Sequence, residues 1–431
     1  MIELLLAVVL GAGATAVAGA LAHGARAVYH DGLRPIVRDA APHGPERRAL
    51  AGDAWAMSAG FIAWYALPTT LLTGVVISHL LFLPADVLGV RLAKRGSVLI
   101  AAALVGAGVM LAVAVVRTFG PPLLPALVPA TAAFAAVVVQ LVPLIPPAAA
   151  ARLGGWPLAL VSAAFAALGW LLAAPAGGDR VALAIVVGCL PLGWHLARSR
   201  VIAAPDLDFS EQTGRVRDSL AGLLLFAALA GGLAGLLLIA GEPLAAWLLA
   251  AGRPAAAAAV ALVTAAAFLP LVVTSSMTSG VYSTQGYPDW VFAPGYLSAA
   301  VAPAVRVAGT PSAVSPLGSV AGAGVGAVGA ALLMAVEGLG LRWLAAWLVR
   351  HPELATLGAA LRSAMTDVLN VAALLGGLAG SLAVAPAYGP LVVGGAVVAN
   401  ELAGRRVPPY GLGPAALLVV VVLARLTEAL S

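Results

Sequence analysis

Long apolar runs, divided by short loops in which the arginines collect, leave this chain one environment to fold in. Charged residues make up only 10% of its 431 positions and hydrophobic ones 62%, with a mean hydropathy of +1.04, whereas soluble domains carry about 25% charge. Such a chain cannot be a soluble globule. At roughly 20 residues per crossing, its length allows about ten to twelve helices once loops are subtracted. The expectation is an all-α polytopic integral membrane protein with broken or re-entrant segments.

Two apolar stretches are interrupted in the same way. Pro68-Thr-Thr-Leu-Leu-Thr-Gly74 lies in the first half and Thr274-Ser-Ser-Met-Thr-Ser-Gly280 in the second, 206 positions further on. Backbone that stops being helical inside a bilayer needs partners from protein or from a water-filled cavity, so matched interruptions point to a transport site. The candidate solute-binding set is therefore Thr69, Thr70, Thr73 and Gly74 with Thr274, Ser275, Ser276, Thr278, Ser279 and Gly280. These residues would offer hydroxyls, freed N–H groups and half-helix ends to a polar solute or a coupling ion. The same hydroxyls have a plainer use, bonding back to their own turn or to a neighbouring helix. Thr69, Thr70, Thr73, Gly74 and Val75 fall on Ser275, Ser276, Ser279, Gly280 and Val281. At this stage the two halves being a true inverted repeat is an open question.

Charge placement sketches the topology. A net charge of +5 and a pI near 9.8 would suggest nucleic acid in a soluble protein. Here all the basic residues but Lys94 are arginines in short loops, the footprint of the positive-inside rule, and nucleic acid is not a partner. A first helix over 3–22 is followed by Arg26, Arg34, Arg38, Arg47 and Arg48, which puts that loop in the cytoplasm and the N-terminus outside. The stretch 53–83 ends at another basic cluster, Arg91, Lys94 and Arg95. As one straight helix it would span only about 46 Å, so a re-entrant hairpin of half-helices turning at Pro68 to Gly74 suits both flanks. Residues 1–205 then form a first transmembrane half, 206–218 a cytoplasmic linker and 219–431 a second half with a broken segment over 255–290. Prolines should break 123–150, and 317–349 is too long for one straight crossing.

The elements His30-Asp-Gly-Leu-Arg-Pro-Ile36 and Phe82-Leu-Pro-Ala-Asp-Val-Leu-Gly-Val90 resemble the YhfT family of bacterial inner-membrane proteins. Further similarity runs through Ser279 to Tyr282, Gly295 to Ser298, Arg362 to Met365, Val371 to Gly376, Asn400-Glu401 and Gly404-Arg405. The resemblance spans nearly the whole chain and implies a transporter of the bacterial cytoplasmic membrane. Members are encoded beside pyridoxal-phosphate enzymes and a phosphotriesterase-like hydrolase, which implies an amino-acid-like or related polar substrate. Around Gln285 to Asp289 this chain is more polar than the family pattern.

Ionisable residues within apolar runs are the candidates for coupling and gating. Ser363, Asp367 and Asn370 share one helix face, so Asp367 could carry a proton or hold a cation, or else form a structural pair. Glu337 lies deep in a glycine-interrupted run. His30, Asp31 and Arg34 could gate an inner entrance or fix a turn. Asp53 and Asp86 read as helix-start residues that favour the positive dipole end, and Asn400 and Glu401 as residues snorkelling to the interface.

Several chemistries drop out. Gly324-Val-Gly326-Ala-Val-Gly329 fits the dinucleotide fingerprint formally, but no strand precedes it, and small-residue helix packing explains it better. No Walker A, His-Glu-x-x-His or Gly-x-Ser-x-Gly motif occurs, and the single Cys189 excludes an internal disulfide. The expectation is a secondary-active transporter of a small polar solute, amino-acid-like or an organic acid, working by alternating access with a coupling proton or sodium. No cofactor or metal is expected, and a homo-oligomer is allowed. The competing classes are a membrane subunit of a multi-component uptake system and an integral-membrane enzyme.

Overall fold

An apolar medium offers the backbone no partner but itself, so helices carry almost all of this chain. The computed structural model describes residues 2–30, 33–34, 37, 58–59, 61–62, 66–119, 124–175, 178–198, 208–284, 287–301 and 316–430. Asp31, Asp53 and most of the first arm of the expected hairpin lie outside the described residues.

The first half begins with α1 (Ile2–His23), β1 (Ala27–Val28), α2 (Leu67–Thr73), β2 (Val76–Ile77), α3 (His79–Arg91) and α4 (Arg95–Phe119). It continues with α5 (Leu124–Leu141), α6 (Ile145–Ala173) and α7 (Arg180–Ala197). The second half opens with α8 (Ser210–Asp218), α9 (Leu220–Gly235), β3 (Ile239–Ala240), α10 (Pro243–Ala250), α11 (Pro254–Ser279), β4 (Tyr282–Ser283), α12 (Tyr287–Val301) and α13 (Pro316–Arg350). It ends with α14 (Pro352–Val384), α15 (Gly389–Leu402) and α16 (Pro409–Leu430).

Among the described residues, eight stretches are long and apolar enough to cross a membrane, and the α8–α9 pair, bent by 56°, would be a ninth. The remaining short helices, α2, α3, α10, α12 and α15, account for the higher number expected from length alone. Prolines divide the 123–150 region at Val142–Leu144, a short 3-10 turn. A second break follows inside α6, where Gly155 takes φ 68°. In contrast, α13 is one 35-residue helix despite its glycines. Those glycines are packing surfaces: Gly322 and Gly326 lie against the backbone of Gly235 and Gly231 on α9, too close for a side chain. Trp156, Leu171, Val186, Trp194, Leu332 and Trp343 point outward as a lipid-facing surface would.

At one end of the bundle, Asp179 performs two tasks. It caps α7 by accepting from the N–H groups of Val181 and Ala182, and it holds both Nε and Nη2 of Arg253 at 2.6 Å. This ties the start of α7 to the start of α11. Burial pushes the Asp179 carboxyl up, but the Arg253 guanidinium and the two backbone donors outweigh it and hold it below the usual carboxylate range. A depressed value means that the stabilisation is present above the unfolded-state value and is lost as pH falls through the folded one. Asp179→Ala should lower stability by about 1.5–3 kcal/mol, read as a drop in melting temperature in detergent. The deficit should vanish at acidic pH; an equal deficit there would show that charge is not its source.

Candidate functional site

The two hydroxyl-and-glycine interruptions have the same geometry atom for atom. Each helix ends at a left-handed glycine, Gly74 (φ 67°, ψ 7°) and Gly280 (φ 68°, ψ 7°), whose N–H donates to Thr70 O and Ser276 O at 2.8 Å. Thr73 Oγ1 donates to Thr69 O at 2.7 Å, as Ser279 Oγ does to Ser275 O at 2.8 Å. Each of these hydroxyls also accepts an N–H from beyond the break, Val75 and Val281, at 3.1 Å. Thr70 Oγ1 accepts from Ile77 N, and Ser276 Oγ from Ser283 N. The hydroxyls thus satisfy orphaned backbone at the helix ends. Thr274, Ser275 and Thr278 bond back to carbonyls of their own helix, which runs unbroken to Ser279.

A second pair of breaks, which sequence reading did not single out, matches in the same way. α1 and α9 end at left-handed residues that are not glycine, Ala25 (φ 51°) and Leu237 (φ 56°). Arg26 N reaches Leu21 O and Leu238 N reaches Leu233 O, while Ala25 N reaches Ala22 O and Leu237 N reaches Ala234 O. This is the paired bonding that closes a helix with a reversed residue. The strands that follow pair across the halves: β1 with β4 and β2 with β3, both parallel. Tyr282 N and Thr284 N donate to Arg26 O and Val28 O, and Val76 N and Ser78 N to Leu238 O and Ala240 O.

Helix contacts fix the relation between the halves. Leu10 packs on Gly232, Leu229 on Gly13 and Leu21 on Gly222, so α1 and α9 run antiparallel about a two-fold axis perpendicular to them. Gly89 of α3 meets Ala22 and His23 of α1 as Gly295 of α12 meets Ala234 and Gly235 of α9.

The strand ends converge. The Tyr29 hydroxyl is hydrogen-bonded to Ser78 Oγ at 2.7 Å and to His79 Nδ1 at 3.1 Å. Ser78 Oγ donates to Gly241 O at 3.4 Å, and Thr284 Oγ1 to Val28 O at 3.2 Å. Helices start from these points. α10 begins with Glu242, whose carboxylate accepts from Leu244 N and Ala245 N. α3 begins after Ser78 with no side-chain cap. Tyr29, His30, Ser78, His79, Glu242, Ser283 and Thr284 are all buried. His30 packs against Phe61 in a tilted contact at 4.8 Å and meets the His79 ring edge-on at 6.4 Å, so it belongs to this interior cluster and not to an exposed loop. Arg34 follows in the next turn.

The other candidates lie elsewhere. Asp367 forms an exposed ion pair with Arg152, and Asn370 accepts from Tyr410 N at the start of α16. Glu337 is buried and takes the Tyr282 hydroxyl at 2.5 Å, holding β4 from α13. Asn400 does not snorkel: it is buried and clasps Val407 N and O across the α15–α16 turn. Asp86 is not a helix-start residue. It sits inside α3, fully buried, and accepts from Tyr29 N at 2.7 Å. Its position in an apolar run was the available signal. Ser78 and Thr284 align as hydroxyls at the same 206-residue offset, but Tyr29 carried no signal, because only the cross-half pairing assembles it with them. No group of three metal-ligating side chains occurs among the described residues.

A sequence model of the YhfT family, described as a protein of unknown function, matches residues 6–188 and 203–431. The uncharacterized protein YhfT of Escherichia coli (strain K12) is 25% identical over 452 aligned residues, covering 98% of this chain and 97% of that one. No solved structure matches the chain.

Left-handed backbone makes opposite demands at the two kinds of break. Ala25 is exposed and loses nothing as glycine, so Ala25→Gly should raise stability by about 1 kcal/mol, while Gly74→Ala should lower it by about 1–2 kcal/mol. Melting curves in detergent check both signs.

Proposed function

Because the chain belongs to the YhfT family, whose function is unknown, we propose its role from the geometry: a secondary-active transporter that moves a small carboxylate-bearing solute by alternating access. The observation that carries this reading is the buried crossing of four broken segments, midway along the antiparallel pair α1 and α9. Half-helix ends meeting at such a point are how transporters bind polar cargo within a bilayer. The start of α3, which has no side-chain cap, presents the positive end of a helix dipole, which suits an anion. At the start of α10, by contrast, Glu242 caps the helix with a carboxylate of the protein's own. Tyr29, Ser78, His79 and Thr284 add hydroxyl and imidazole groups that can orient an amino acid or organic acid.

The basic residues support a cytoplasmic end. His23, Arg26, Arg95 and Asp218 line a groove of about 590 Å³ where α1 finishes. Arg215 lies against Gly280 at the same end. In a bacterial cytoplasmic membrane this end faces inward and the N-terminus of α1 outward.

The test is uptake by purified protein in liposomes over a panel of amino acids, organic acids and sugars, with and without proton or sodium gradients. Gradient-dependent accumulation of a carboxylate-bearing solute is expected. His79→Ala should cut it about tenfold or more, the equivalent of one charge-assisted hydrogen bond of about 1.5–3 kcal/mol. Asp367→Asn, at an exposed pair, should leave it intact. Absence of uptake across the panel, or equal loss from both variants, would sink the assignment.

A further inference from the structure

Among the described residues the two halves differ where one places a carboxyl and the other a ring. Superposing α3 on α12 through Gly89 and Gly295 places Asp86 on Phe292, so a carboxyl in the first half stands where the second has a phenyl ring. Phe292 is fully buried, and so is Asp86. The contacts of Asp86 are lopsided. Oδ2 takes Tyr29 N–H at 2.7 Å and the His30 backbone N–H also points at the carboxyl, whereas Oδ1 is buried with no hydrogen bond formed among the described residues. An unsatisfied carboxyl oxygen in apolar surroundings is costly and persists where it has work to do.

The groups around Asp86 decide what that work is. The segment after β1 presents the N–H of Tyr29, the Tyr29 hydroxyl and the His30 ring. α3 itself supplies His79, bonded to the Tyr29 hydroxyl. α1 supplies His23, whose Nδ1 meets Gly89 O at 3.1 Å. α4 faces α1 at this level with Val98 and Ala102, which do not titrate, and β2 leads into Ser78. A sodium ion needs a cage of oxygens, and these surroundings are rich instead in N–H donors and imidazoles. A proton needs one oxygen lone pair. Groups able to pass a proton, the Tyr29 hydroxyl, His79 and His30, gather at the strand crossing, about 10 Å from Asp86 along α3.

We propose that Asp86 Oδ1 is the site at which the coupling proton binds, about two helical turns along α3 from the solute site and in the first half alone. The inference rests on the transporter reading and adds the identity of its driving ion. Proton uptake at Asp86 neutralises a carboxylate that also holds Tyr29 through its backbone, and Tyr29 contacts the start of α3 where the solute docks. Occupancy by the proton and by the solute are thereby linked through one residue. The proton is released from the same oxygen when the site opens to the other side, so solute and proton cross together and no other reactant is consumed.

The experiment uses the full chain in liposomes holding a pH-sensitive dye, with a solute found to move in the uptake panel. Solute entry should acidify the interior. Asp86→Asn keeps an acceptor for Tyr29 N–H; it should lose acidification and gradient-driven accumulation while still exchanging solute across the membrane. Acidification by the variant equal to that of the parent would overturn the proposal, as would accumulation driven by sodium and not by protons. If no solute moves with the parent, the transporter reading itself fails. A solute-free measurement then still judges Asp86: infrared difference spectra between acidic and alkaline buffer should show a protonated-carboxyl band that Asp86→Asn lacks. Persistence of that band in the variant would overturn the assignment.

Discussion

Every peptide group inside a bilayer must find its partner within the protein, and the fold of this chain turns on how four broken segments meet that demand. Each break frees donors and acceptors that no lipid can satisfy. Two-residue strands solve the problem by pairing across the halves, β1 with β4 and β2 with β3. Neither half can complete its own ladder. The hydrogen bonds that make breaks tolerable also lock the halves together, and the antiparallel packing of α1 on α9 sets them at the required height.

The roles of the hydroxyls follow from this. Thr70, Thr73, Ser276 and Ser279 supply the acceptors and donors that the helix ends lack, so their hydrogen-bonding capacity is taken up within the protein. A second polar group lies beyond the strands, where Tyr29, Ser78 and His79 meet Gly241 and Thr284 is held against β1. The symmetry of the breaks builds a scaffold, and the departures from symmetry supply specific chemistry. His30 stands where the second half has Glu242, and Asp86 where it has Phe292.

Structural charge is kept apart from this interior. Asp179 with Arg253 fastens two helix starts, Arg152 with Asp367 joins α6 to α14 in exposed surroundings, and Asn400 clasps a turn. Polar residues in membrane helices serve both purposes, and burial together with the identity of the partner separates them. Asp367 has a cation and is exposed; Asp86 has backbone N–H and an unsatisfied oxygen.

Composition and the spacing of apolar runs determined that this chain is a helical, multi-pass membrane protein, because a backbone with so few polar side chains has no other stable state. The string from Thr69 to Gly74 and its counterpart from Ser275 to Gly280 also announced the breaks, since a hydroxyl and a glycine at those spacings are what a helix end needs. The sequence did not reveal the breaks at Ala25 and Leu237, where residues with no turn preference are driven left-handed by the strands that follow. Nor did it reveal which side chains gather at the crossing. Tyr29, Ser78, Asp86 and Thr284 come together only because strands from opposite halves pair, and that pairing is a long-range hydrogen-bonding choice with no local signature.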